Sequence, residues 1–325
     1  MRLEKESLNE EILQEENLKN SPSDSNKTKL LIQTLVGHTG SVTSLAVLKN
    51  GLLVSGSCDE TIALWDTESY SLVKKLTGHS RFVRCLTVLK NGSLVSGSGD
   101  NTIRIWDPES GDLLRTLNGH TKSVLSLVVL KSGLLASGSF DNTIKIWNTE
   151  NGDLLRTLTG HSGTVYSMCI LQNGYLVSGS ADYTIKIWYT LNGSLIRTLL
   201  GHSSIVWTLV ILKSGNLASG SDDKTIKIWT PSTGSVIQTL TGHSGYVECL
   251  AVLPSGLLCS GSGNPDYSIK IWDPERGLLV RTIPGHRSTI CYLTVLNDGS
   301  LVSGSRDNTI RIWNPTAESD SSLQS

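Results

Sequence analysis

The chain has 325 residues, 38% hydrophobic and 18% charged, with a formal net charge of −1. This balance suits a soluble globular protein, exerts no overall pull toward nucleic acid or anionic lipid, and includes no apolar run near the ~18 residues of a membrane span. The six cysteines (Cys58, Cys85, Cys169, Cys249, Cys259, Cys291) form no CxxC pair or zinc-like spacing. No metal or cofactor is therefore expected, and a reducing compartment inside the cell, cytoplasmic or nuclear, is.

Residues 1–29 are polar. Leu3, Leu8, Ile12, Leu13 and Leu18 lie among many Glu, which predicts a short amphipathic helix. Ser21 to Asn26 then read as a linker. The acidic start carries no apolar stretch of the secretory type. Residues 30–314 form the body of the chain, and 315–325 read as a disordered tail.

The body repeats itself, which is the first thing to test. Gly-His pairs end at His38, His79, His120, His161, His202, His243 and His286, with steps of 41, 41, 41, 41, 41 and 43. Every histidine belongs to this series. A second series is Trp65, Trp106, Trp147, Trp188, Trp229, Trp272 and Trp313. Six residues before each tryptophan stands an aspartate: Asp59, Asp100, Asp141, Asp182, Asp223, Asp266 and Asp307. Each unit holds four short runs rich in Val, Ile, Leu and Thr, in the first unit Ser41–Leu48, Leu52–Ser57, Thr61–Trp65 and Leu72–Leu76. Turns every 8–12 residues make this an all-β pattern. Four-stranded sheets stacked radially bury their faces and leave only short edges.

Gly-His, the turn Asp and a strand ending in Trp-Asp (Trp65-Asp66, Trp106-Asp107, Trp272-Asp273) resemble the WD40 repeat. The final dipeptide departs at Asn148, Tyr189, Thr230 and Asn314. The resemblance implies an all-β, seven-bladed WD40 β-propeller with four antiparallel strands per blade. The last unit stops at Trp313, short of a fourth strand, while Leu30–Leu35 matches Leu113–Leu117. Closure by the N-terminal strand is therefore expected.

By resemblance, the His, Asp and Trp of each unit join a strand serine in a buried hydrogen-bonded chain. The serines are Ser55, Ser96, Ser137, Ser178, Ser219, Ser260 and Ser303. The chemistry permits it: indole N–H only donates, hydroxyl does both, and carboxylate only accepts. Ser, His and Asp are also hydrolase types, but seven equal copies are not one active site and no G-x-S-x-G elbow occurs. No catalytic residues are assigned. The third-strand bases Arg104, Lys145, Lys186, Lys227, Lys270 and Arg311 read as a solvated ring rather than a nucleic-acid groove.

In so regular a repeat, specificity lies where the units differ. The family commonly binds partners on the face where the Gly-His loop meets the first strand. Three positions per unit project there: three and five residues after His, and the residue before the turn Asp. The distinctive residues at them are Phe82, Arg84, Leu125, Phe140, Tyr166, Ile205, Trp207, Asp222, Tyr246, Glu248 and Arg306. Both Phe of the chain and its one Trp outside the series are among them. Aromatics rimmed by charges are typical of binding hot spots. The sixth unit also carries a two-residue insertion within Gly263–Tyr267.

The reading is a monomeric, non-catalytic scaffold that binds other proteins or peptides on this top face, not nucleic acid or membrane. A ubiquitin-ligase substrate adaptor would carry a recruitment domain, unrecognisable in residues 1–29. A G-protein β-subunit-like signalling protein would carry a longer N-terminal coiled-coil helix.

Overall fold

The computed structural model describes residues 29–317. The expected helix and linker lie outside the described residues, as does the tail from 318 onward. Ala317, beyond the last strand, is buried. No helix among the described residues is long and apolar enough to cross a membrane.

The described residues form seven antiparallel four-stranded sheets and no helices. In blade 1 the strands are Val42–Val47, Leu53–Ser57, Ile62–Asp66 and Ser71–Leu76, in that order across the sheet. The first strands of consecutive blades pack beside one another around the ring, and those of blades 1 and 7 close it. Their outer counterparts expose apolar pairs such as Leu113-Leu114 and Leu154-Leu155.

Blade 7 is assembled from both ends of the chain. Leu31–Val36 pairs antiparallel with Thr309–Trp313, with Leu35 opposite Ile310, and completes the sheet of Ile290–Val295 and Leu301–Ser305. The sheet therefore gains its outer strand from the N-terminal side, as the repeat pattern requires.

Blades lock through the second strand, whose Leu-Val-Ser-Gly-Ser sequence (Leu53–Ser57 in blade 1) is wholly buried. A Cβ placed on Gly56 would stand 2.7 Å from Val83 Cγ1 of the next blade. The same notch and knob recur as Gly97 with Val124, Gly138 with Val165, Gly179 with Val206, Gly220 with Val247 and Gly261 with Ile290. Gly304 with Val42 closes the circle, again at 2.7 Å. Interiors packed this tightly leave no room for an added methyl.

A second set of contacts clasps blades at the rim. Arg115 on an outer strand donates to the turn carbonyls of Asn151 (3.0 Å) and Glu150 (2.8 Å) in the next blade. Arg197 does the same to Thr233 and Ser232, and Lys74 to Glu109 and Ser110. At Arg281 of blade 6 no such clasp is formed among the described residues, where its Nη1 is buried without a hydrogen-bond partner.

The third-strand bases are not the solvated ring expected from the sequence. Lys186 and Lys270 are buried, and their Nζ groups donate to Thr198 and Thr282 at 3.0 Å. Arg104 and Arg311 lie over Trp106 and Trp313. The third strand is interior to the sheet, so its long side chains fold along the outer strand instead of entering water.

Gly138→Val should force a clash with Val165 and cost about 1–3 kcal/mol as an overpacking change, read as a lower thermal midpoint. Deleting residues 1–36 should lower the midpoint further, because blade 7 loses its outer strand.

Candidate interaction site at the channel mouth

Each blade contains one polar chain that fixes its shape. Trp65 Nε1–H donates to Ser55 Oγ at 2.7 Å, and Ser55 Oγ lies 2.7 Å from His38 Nε2. His38 Nδ1 lies 2.8 Å from Asp59 Oδ2. One proton assignment satisfies every member: indole to hydroxyl, hydroxyl to Nε2, and Nδ1–H to carboxylate. All seven blades repeat it, with His–Asp distances of 2.5–2.9 Å. The His–Ser distances are 2.6–2.7 Å. The aspartate also receives backbone N–H groups, Thr39 and Thr61 in blade 1, so it ties the Gly-His loop to the turn. The loop glycine is needed because a Cβ on Gly37 would stand 2.8 Å from Trp65 Cη2.

The electrostatics follow from this geometry. Burial alone would raise the Asp59 and Asp141 carboxyls. Hydrogen bonds from Thr61 and His38, and from Thr143 and His120, more than offset it and hold both at about 2. The other five turn aspartates are driven down by the same balance. Burial lowers His38, His120, His243 and His286 despite their Asp partners. The same Ser–His–Asp contacts can activate a hydroxyl in an open cleft, but here the serine and histidine are buried, Ser55 wholly so, and the serine also accepts from Trp65.

The residue five after each histidine has a different role. In every blade the pairing of first and second strands slips at that residue, as between Val42 and Ser44 or between Val206 and Thr208. A β-bulge leaves one residue unpaired and re-aims its side chain. Here the bulge residues are Thr43, Arg84, Leu125, Tyr166, Trp207, Glu248 and Cys291, and all seven line a cavity of about 520 Å³ at the mouth of the central channel.

Of the residues expected at the top face, Arg84, Leu125, Phe140, Tyr166, Trp207, Glu248 and Arg306 meet in this cavity. Phe82, Ile205, Asp222 and Tyr246 are outside its lining and flank it. Phe82 and Phe140 are 44% and 42% exposed. Four rings form an arc over blades 3 to 6: Phe140 to Tyr166 at 6.1 Å, Tyr166 to Trp207 at 4.3 Å, Trp207 to Tyr246 at 6.3 Å. The Arg84 guanidinium lies 5.1 Å from the Phe82 ring centroid. Asp222 accepts from Ser204 at 2.9 Å. The insertion in the sixth unit abuts this arc, since a Cβ on Gly263 would overlap the Tyr246 ring.

The repeat is confirmed by comparison with known families. The family model described as WD domain, G-beta repeat, matches residues 29–66, 70–107, 111–148, 152–189, 193–230, 234–273 and 277–314. The chain belongs to the WD40-repeat family. No curated protein matches it. WD40 propellers are in general non-catalytic interaction scaffolds, and among the described residues no His/Cys/Asp/Glu cluster is arranged to hold a metal.

Sequence reasoning missed the throat of this WD40 mouth. Below the bulge residues lie Leu86, Leu127, Met168, Leu209, Leu250 and Leu293, seven after each histidine. Cys58, the residue before the turn Asp of the first unit, also lines it. The signal available was strand alternation: residues two apart share a face.

Asp141→Ala removes the acceptor of His120 Nδ1–H and of the Thr121 and Thr143 N–H groups. It should cost about 1–3 kcal/mol per stranded donor, measured as a lower unfolding midpoint.

Acid should unfold the ring in two stages. Folded His38, His120, His243 and His286 titrate below 6.5, so the unfolded chain binds more protons and stability falls once pH drops through that value. The aspartates add stability above 3.8 that is lost as pH falls toward about 2. Scanning fluorimetry should show a midpoint that is flat above pH 7, falls below about 6.5, and falls more steeply below about 4. A constant midpoint from pH 7 to 4 contradicts this.

Proposed function

We propose that this WD40 protein is a non-catalytic scaffold whose partner proteins or peptides dock on the channel mouth. The observation that carries the reading is the aromatic arc from Phe140 to Tyr246, set on bulges and loops above a uniform frame. Large rings that keep partly exposed faces beside charged neighbours are the side chains that dominate protein–protein binding energy. The conserved-type polar chain cannot supply partner choice, because it is the same in all seven blades. Work inside the cell, in cytoplasm or nucleus, is part of the reading and is supported by six free cysteines.

Trp207→Ala should weaken capture of a bound partner by roughly 30-fold, the scale of a hot-spot residue. Trp207 also packs on Tyr166, so the double variant Phe82→Ala/Phe140→Ala, at exposed positions, serves as the second test. Quantitative affinity purification beside the parent chain measures both. If every partner is retained by folded forms of both variants, the mouth is not the docking site.

A further inference from the structure

The ionisable groups lining the mouth do not balance. Two guanidiniums, Arg84 and Arg306, face one carboxylate, Glu248. Glu248 is already engaged, since Arg306 Nη2 reaches its two oxygens at 3.3 and 3.4 Å. Burial pushes the Glu248 carboxyl up against the pull of Arg306, which weakens its hold as a counter-charge. Arg84 also acts on Glu248 through its charge but forms no close ion pair with any carboxylate among the described residues. Its Nε is buried without a hydrogen bond, and its one directed contact is the Phe82 ring.

A second unpaired donor stands in the same wall: Trp207 Nε1–H is buried with no acceptor among the described residues. An indole N–H and a guanidinium N–H can only donate. Buried polar groups are nearly always paired, by protein or by water. Two donor-only groups, Arg84 Nε–H and Trp207 Nε1–H, thus lie in this wall with no carboxylate beside them.

A cation is the other chemistry that an aromatic arc can hold. Here it would enter a mouth carrying a net positive charge, whose one carboxylate is already occupied. Charge decides for the anion.

Building on the scaffold reading, we propose that the mouth recognises an anionic side chain of a partner peptide, gripped by Arg84 and Arg306 beside the Tyr166–Trp207 wall. The shared chemistry is an oxyanion, from a carboxylate or a phosphorylated hydroxyl. The adjoining rings call for an apolar residue next to it, and a cavity of about 520 Å³ has room for both.

The test is selection of a random-peptide phage library on the immobilised full chain. Clones that require Trp207 should be rich in Asp and Glu and poor in Lys and Arg. Synthetic peptides from those clones should bind Arg84→Gln at least tenfold more weakly, with Arg84→Lys intermediate, in variants whose melting temperature matches the parent. Replacing the selected acid by Gln should cause a like loss. Replacing it by phosphoserine separates the sources: tighter binding assigns a phosphate, weaker binding a carboxylate. Trp207-dependent clones without acidic preference, bound equally by Arg84→Gln, would overturn the anion assignment and leave the scaffold reading standing. A selection that yields no Trp207-dependent clone overturns both.

Discussion

The structure depends on a missing methyl. At the second strand of each blade a glycine leaves a notch, and a β-branched residue of the next blade's first strand fills it, from Gly56 with Val83 around to Gly304 with Val42. A side chain at any of these glycines would hold the blades apart. The joints are so alike that none of them says where the ring begins. The shared blade does: Thr309–Trp313 lacks an outer strand in its own unit, and Leu31–Val36 lacks the rest of a sheet. Their pairing gives the seventh blade the same four strands as the other six.

Within a blade, the Trp–Ser–His–Asp chain turns four short strands and two loops into a rigid wedge. Its members are buried and satisfied, the condition under which a polar network fixes geometry instead of costing stability. The hydrogen bonds that hold the aspartates down are the same ones that tie loop to strand. The same residue types next to one another in a single exposed cleft would suggest catalysis. Buried and repeated in every blade, they cannot serve one substrate.

Much of this was legible in the sequence. A 41-residue period with three phased series predicts the blades, the truncated last unit predicts the closing strand, and donor–acceptor logic predicts the polar chain. Three features were not legible. The Gly notch needs the neighbouring blade, which no local pattern names. Lys186 and Lys270 read as solvated because periodicity does not say that a third strand is covered by a fourth. At the mouth, the five-after-His position was picked out in every unit, but strand periodicity does not tell which top-face residues line a cavity and which, like Phe82, Ile205, Asp222 and Tyr246, flank it.

The slipped pairing in each first strand has a wider consequence. An ordinary strand residue is bound by alternation, so changing it disturbs either the packed face or its opposite number across the ladder. The residue at the slip belongs to neither. Threonine, arginine, leucine, tyrosine, tryptophan, glutamate and cysteine all occupy this one site across the seven blades, on backbones that otherwise superimpose in pairing. The ring thus separates what must stay constant from what is free to drift, and selection can rewrite the vestibule letter by letter while the frame beneath it stays the same.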